Sequence, residues 1–149
     1  MSAPEEIGSD LLSVAARLNR WATSLADLQV PFAQARLLSL IDLLGKSRVS
    51  DLAAADHCSQ PTMTNQLHRL AEAGLVKRSS DPSDARVVLI TLTPAGRAAL
   101  RRARKARSQV IQPYIASLSA ADQRRLAQSV TMLNDLMDTL PRVGSVPER

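Results

Sequence analysis

At 149 residues the chain has room for one compact domain, or for one small domain with a dimerisation extension. Its 45% hydrophobic content supports a core and excludes global disorder, whereas Trp21, Phe32 and Tyr114 are too few aromatics for a platform that stacks single-stranded bases. A net charge of +5, from 19 Lys and Arg against 14 acids, leans toward polyanionic partners without requiring one. One cysteine excludes an intramolecular disulfide framework and fits a reducing cytoplasm. The acidic start, MSAPEE, is unlike a secretion signal, and no apolar run nears the ~20 residues of a membrane span. A soluble, cytoplasmic protein with no membrane partner is expected.

Residues 1–7 read as a flexible leader. From Asp10, Leu11, Leu18 and Leu25 recur every seven residues, as do Val14, Trp21 and Leu28, which predicts an amphipathic helix with a coiled-coil-like seam. Pro31 separates it from a helix over Phe32 to Leu44 that Gly45 closes. Residues 46–49 form a short polar connector with the length for one strand pairing. Ser50 is the expected N-cap of a short helix over 51–56. Ser59 caps the next helix, which tolerates Pro61 in its first turn, buries Met63, Leu67 and Leu70, and ends at Gly74. Strands follow at 75–79 and 87–93 around the turn Asp81-Pro82-Ser83-Asp84. Thr93 and Pro94 start a long helix that runs at least to Gln112, where Pro113 should kink or end it, because an interior proline costs ~3 kcal/mol. After Ser119 a last helix carries Leu126, Val130, Leu133, Met137 and Leu140 at heptad spacing, and 141–149 read as a flexible tail.

The fold class that follows is mainly α with a small β-hairpin wing: a winged helix-turn-helix over 31–93, with helical segments 8–30 and 94–140 as a dimerisation region. The terminal helices carry apolar stripes that a domain this small can hardly bury alone, so a twofold homodimer is the economical solution. A purely intramolecular helical core is the competing one.

A helix that reads base edges needs an apolar face to anchor it and a polar face to reach out. Here Met63, Leu67, Leu70 and Ala71 supply the first, and Gln60, Thr62, Thr64, Asn65, Gln66 and Arg69 the second, with Ser59 just ahead. Asn and Gln can pair with adenine, Thr can meet a thymine methyl, and Arg can take guanine or phosphate. Polar residues also line any solvated helix face, so this pattern does not decide the matter alone. The hairpin adds Lys77 and Arg78 on its first strand and Arg86 after the turn, where a narrow minor groove would draw an arginine. Asp84 could hold Arg86 extended or make an Asx-type turn, and the loop could equally be a plain surface hairpin.

The stretch Leu70-Ala-Glu-Ala-Gly-Leu-Val-Lys-Arg78, then Asp81-Pro-Ser-Asp-Ala-Arg86, then five residues and Leu92-Thr-Pro-Ala-Gly96, resembles the multiple-antibiotic-resistance regulator (MarR) family of winged-helix transcription factors. The element order matches along roughly residues 8–140. The resemblance implies homodimers paired through the first and last two helices, palindromic double-stranded DNA sites, and repression relieved by a small ligand. It would place Arg86 in the minor groove and the residues from Thr62 to Arg69 in the major groove. Many relatives carry Arg where this chain has Asn65, which points to an adenine preference at one position. The expected DNA-binding set is Ser59, Gln60, Thr62, Thr64, Asn65, Arg69, Lys77, Arg78 and Arg86. The effector's contacts do not transfer onto positions here. The alternative is a winged-helix protein–protein interaction module without DNA binding.

Other residues carry weaker signals. Cys58 reads as a small buried apolar residue and not as a sensing thiolate. His57 and His68 lack a third ligand for zinc, and no metal or other cofactor is expected. Arg97, Arg101, Arg102, Arg104, Lys105 and Arg107 spread around one helix as solvated positions with some inter-subunit ion pairs, or add phosphate attraction near the wing. Catalysis finds no support. Glycines at 8, 45, 74, 96 and 144 fit neither a dinucleotide fingerprint nor a phosphate loop, and no hydrolase or metalloprotease motif is present.

Overall fold

The computed structural model describes residues 3–141; residues 1–2 and 142–149, which hold part of the expected leader and nearly all of the expected tail, lie outside it. The first helix, α1 (Pro4–Leu25), starts ahead of the expected Asp10 and stops short of Leu28. Pro4 stands at its first position, Glu5 and Glu6 sit in its first turn, and the Ala3 N–H donates to Glu6 Oε2 at 3.3 Å. These are the features that start a helix, so most of the leader is helical. Next comes α2 (Phe32–Leu44), closed by Gly45 at φ 70°, a left-handed conformation that suits glycine.

The connector does pair, as β1 (Ser47–Arg48), and leads straight into α3 (Val49–Ala55). Ser50 is therefore inside this helix and is not its cap. Arg48 is the last extended residue, and its N–H donates to Asp51 Oδ2 at 3.3 Å, so a carboxylate one turn in does the capping. The recognition-type helix, α4 (Gln60–Glu72), is capped as expected by Ser59, whose Oγ accepts the Thr62 N–H at 3.3 Å. Strands β2 (Val76–Ser80) and β3 (Val88–Leu92) form the hairpin, and β1 adds to the outer edge of β3, giving the antiparallel order β1-β3-β2.

Helix α5 (Pro94–Ala116) runs through Pro113 instead of ending there. The proline sits in the last turn, and Gln109, whose carbonyl loses its donor, is exposed, so water can replace the missing bond. Helix α6 (Ala120–Thr139) begins at Ser119, whose Oγ accepts the Asp122 N–H at 3.1 Å.

The core is built from α2 to α5: Leu37, Leu38, Ile41, Leu52, Met63, Leu67, Leu70, Ile90 and Leu100 are all fully buried. The two ends contrast with it. Only Ala22 of α1 is buried and no residue of α6 is, while Val14, Leu18, Leu25, Leu126, Val130, Met137 and Leu140 are exposed. Trp21 and Tyr114 meet edge-to-face with ring centroids 5.4 Å apart and join α1 to α5. At the other end of α5, Thr93 Oγ1 donates to the Gly74 carbonyl at 2.7 Å and the Thr93 N–H to the Leu75 carbonyl at 3.1 Å, which fastens the helix to the base of the hairpin. Among the described residues no helix is long and apolar enough to cross a membrane.

Candidate nucleic-acid interface

Helix α4 is held by Met63, Leu67 and Leu70, all fully buried, and this anchoring turns Gln60, Thr62, Thr64, Asn65 and Arg69 outward, where all are exposed. Ser59 is exposed too, but its hydroxyl is engaged with the Thr62 hydroxyl at 2.8 Å as well as with the Thr62 N–H. Gln66 does not belong on this outer face. It is half-buried, with Oε1 covered and without a hydrogen-bond partner, because it lies beside Leu67 and one turn beyond Met63. His68 pairs with Glu72 at 3.3 Å along the exposed flank.

The turn into α4 is tightly tied. The Cys58 N–H donates to the Ala53 carbonyl at 3.0 Å, and His57 adopts φ 52°, a left-handed conformation uncommon for a side-chain-bearing residue. Cys58 is half-buried against the core. Burial pushes its thiol pKa up, and the neighbouring Asp56 charge and hydrogen bond push it further, against a smaller opposing pull from Arg36. That environment keeps the thiol protonated and favours packing over reactivity.

In the wing, Lys77 and Arg78 are both exposed, but as neighbours on β2 they leave the sheet by opposite faces. Arg86 projects from the loop with its side chain 91% exposed. Asp84 grips its near side: Arg86 Nε donates to Oδ1 at 3.1 Å, Nη2 to Oδ2 at 3.3 Å, and the backbone N–H to Oδ1 at 3.0 Å. The Arg86 side chain, and then its backbone N–H, hold the Asp84 carboxyl below its usual pKa. Asp81 is lowered in the same way by the hydroxyl and N–H of Ser83, at 2.6 and 2.8 Å. Both readings of the Asp84 position are thus realised together: it shapes the turn and it extends the arginine.

The cations of α5 are not all solvated. Arg97 donates to the Leu92 carbonyl at 3.0 Å, Arg104 to Asp42 at 2.9 Å and Arg107 to Asn19 Oδ1 at 3.2 Å, so three of them tie α5 to the wing, α2 and α1, while Arg101, Arg102 and Lys105 remain exposed. Their spacing, 97/104/107, keeps the three on one side of the helix and was the available signal.

Between α1, α2 and α5 lies an open cleft of about 500 Å³, with Asn19, Thr23, Phe32, Arg36, Asp56 and Arg107 in its walls. Arg36, Arg104 and Arg107 against Asp42 and Asp56 leave this lining with one excess positive charge, and Thr23 Oγ1 is buried there without a partner. The sequence alone does not reveal the cleft, because its lining residues are scattered from 19 to 107.

Residues 32–88, from α2 into β3, match the MarR family model. The chain is 31% identical over 111 residues to the transcriptional regulator HosA of Escherichia coli O111:H-, covering 74% of this chain and 81% of HosA. The chain belongs to the MarR family. This MarR-family chain is also 25% identical over 143 residues to the HTH-type transcriptional regulator MT0903.1 of Mycobacterium tuberculosis, covering 95% of this chain and 99% of that one. Its fold is shared with a mutant of S. aureus MepR, solved bound to an oligodeoxyribonucleotide, at a TM-score of 0.61 and 22% identity over 87% of this chain and 97% of that one.

Proposed function

We propose that this MarR-family regulator is a homodimer that binds palindromic double-stranded DNA sequence-specifically, represses transcription, and is released by a small molecule. The observation that carries the DNA reading is the pairing of a core-anchored helix that turns Gln60, Thr62, Thr64, Asn65 and Arg69 outward with an arginine fixed at the tip of the adjacent wing. Gln60 and Asn65 would read adenine, Thr62 and Thr64 thymine methyls, and Arg69 guanine or a phosphate. Ser59, Lys77 and Arg78 would position the backbone, and Arg86 would enter the minor groove. Among the described residues, Val88 of β3, at 41% exposure, is the one exposed large hydrophobic side chain of α4 and the two hairpin strands, too little apolar surface for a protein-docking use of this face.

The dimer is supported by the exposed Leu, Val and Met residues of α1 and α6, which are the residue types that helices bury against one another. The two copies of α4 would then meet half-sites ~34–36 Å apart along the duplex. The cleft between α1, α2 and α5 offers an effector its place, and the excess positive charge of its wall favours an anionic one.

Selection of bound duplexes from a random pool tests the reading. A palindromic winner is expected. A monomeric protein that enriches no duplex at low ionic strength would overturn it.

A further inference from the structure

Arg36 on α2 and Asp56, the residue that closes α3, lie twenty positions apart in sequence and meet through two hydrogen bonds, Nη1 to Oδ1 and Nη2 to Oδ2, the latter at 2.9 Å. The two side chains are unequally placed: that of Arg36 is 46% exposed, that of Asp56 only 6%. A carboxylate this well covered needs its partner, and a bidentate guanidinium fixes orientation as well as charge. The other cleft arginines with hydrogen-bonded partners are engaged elsewhere, Arg104 with Asp42 and Arg107 with Asn19.

What Asp56 anchors is the turn of the helix-turn-helix. Asp56 receives the end of α3 through its N–H to the Leu52 carbonyl, His57 follows in its left-handed conformation, the Cys58 N–H returns to Ala53, and Ser59 caps α4. Each link in this short path is hydrogen-bonded or conformationally fixed, so a displacement of Asp56 has little slack before it reaches α4. Helix α2, which carries Arg36, is a core helix with four buried residues and gives the pair a firm base.

We propose that Arg36 and Asp56 form a positioning pair that sets the angle at which α4 is presented to DNA, and so contributes to sequence discrimination without touching a base. The proposal rests on the DNA-binding reading above.

The test compares wild type, Asp56→Asn, Arg36→Met, the double variant and Arg104→Met. Each is titrated with the duplex recovered by wild-type selection and with a random-sequence duplex of equal length, and thermal midpoints are measured alongside. Asp56→Asn removes a negative charge, which by general electrostatics alone would tighten binding to any duplex. A loss of about tenfold for the selected duplex, with random-duplex affinity held or raised, is therefore the signature of misplacement and not of charge. Arg36→Met should narrow the selected-to-random ratio similarly, and the double variant should lose no more than either single one, since both remove the same contact. Arg104→Met breaks an ion pair of the same cleft away from the turn, and should lower the thermal midpoint while leaving the ratio unchanged.

If Asp56→Asn or Arg36→Met does not fold, Arg36→Lys decides: it keeps the charge, loses the fork, and should cost the ratio about threefold. A folded Asp56→Asn, or failing that Arg36→Lys, with an unaltered ratio would overturn the pair's role. Failure of the wild type to recover any duplex would instead overturn the DNA reading itself.

Discussion

Gly96 offers the sharpest single-atom test of how the wing is joined to the rest of the molecule. It lies at the third position of α5, and a Cβ built there would stand 1.9 Å from the Leu75 carbonyl oxygen, 2.9 Å from its carbonyl carbon and 3.4 Å from its Cα. All three are backbone atoms at the base of the wing, and the Leu75 carbonyl already accepts the Thr93 N–H, so no rotamer can relieve the clash. Gly96→Ala would gain at most about 1 kcal/mol from helix propensity, and less in a first turn. Overpacking of a well-filled site costs about 1–3 kcal/mol, and a backbone contact belongs at the upper end. The expected outcome is a net loss of about 2 kcal/mol, read as a lower urea midpoint at unchanged slope, with protein concentration held fixed. Gly8→Ala is the matched comparison: a Cβ at Gly8 in α1 meets nothing within 4 Å, so the same substitution should stabilise by about 0.5–1 kcal/mol. A Gly96→Ala protein as stable as wild type would refute the close approach of α5 to the wing.

Further outcomes are expected from the same reasoning. Arg86→Ala should weaken binding to selected and random duplexes alike and reduce the salt slope of log affinity by about 1; an unchanged slope would remove this side chain from the interface. His57→Gly removes a left-handed strain of roughly 1–2 kcal/mol at an entropic cost of up to about 1, so thermal melts should show a neutral to slightly stabilised protein, whereas His57→Val should be destabilised. Val130→Glu should shift sedimentation toward the monomer, and the wild-type melting midpoint should rise with protein concentration if exposed α6 packs on a second copy. The lowered pKa of Asp84 and Asp81 gives the wing loop stability that is present above their unfolded values and lost as pH falls through the folded ones. The backbone amide signals of Ser83 and Arg86 should accordingly hold steady through the ordinary carboxylate range and move only below it.

What was legible in the sequence was what is local. Ser59, Thr93 and Ser119 each cap a helix through a bond to an N–H three residues on, and that chemistry shows in three or four letters. The wing showed itself in the same way, through Asp84 and Arg86 two residues apart. The capping of α3 was harder, because Ser50 and Asp51 are both good cap residues and only the extension of Arg48 into β1 decides between them. Gln66 failed for a geometric reason, since a residue at the border of a helix stripe is assigned by its neighbours' bulk and not by its own polarity. The Arg36–Asp56 pair, the Arg104–Asp42 pair and the Arg107–Asn19 contact span 20, 62 and 88 positions. No periodicity announces such contacts; they exist only once the helices have packed. The exposed stripes of α1 and α6 are the reverse case, plain in the heptads but left without partners by one chain.

Arg36 belongs to two neighbourhoods at once: the interior of the cleft and the turn ahead of α4. A guanidinium fork that is busy with one carboxylate has little to offer a second. Occupancy by an anionic guest would therefore trade directly against the grip on Asp56, so that a message arriving in the cleft could reach the duplex by the swap of a single counterpart, over a few side-chain lengths, without the domain having to swing.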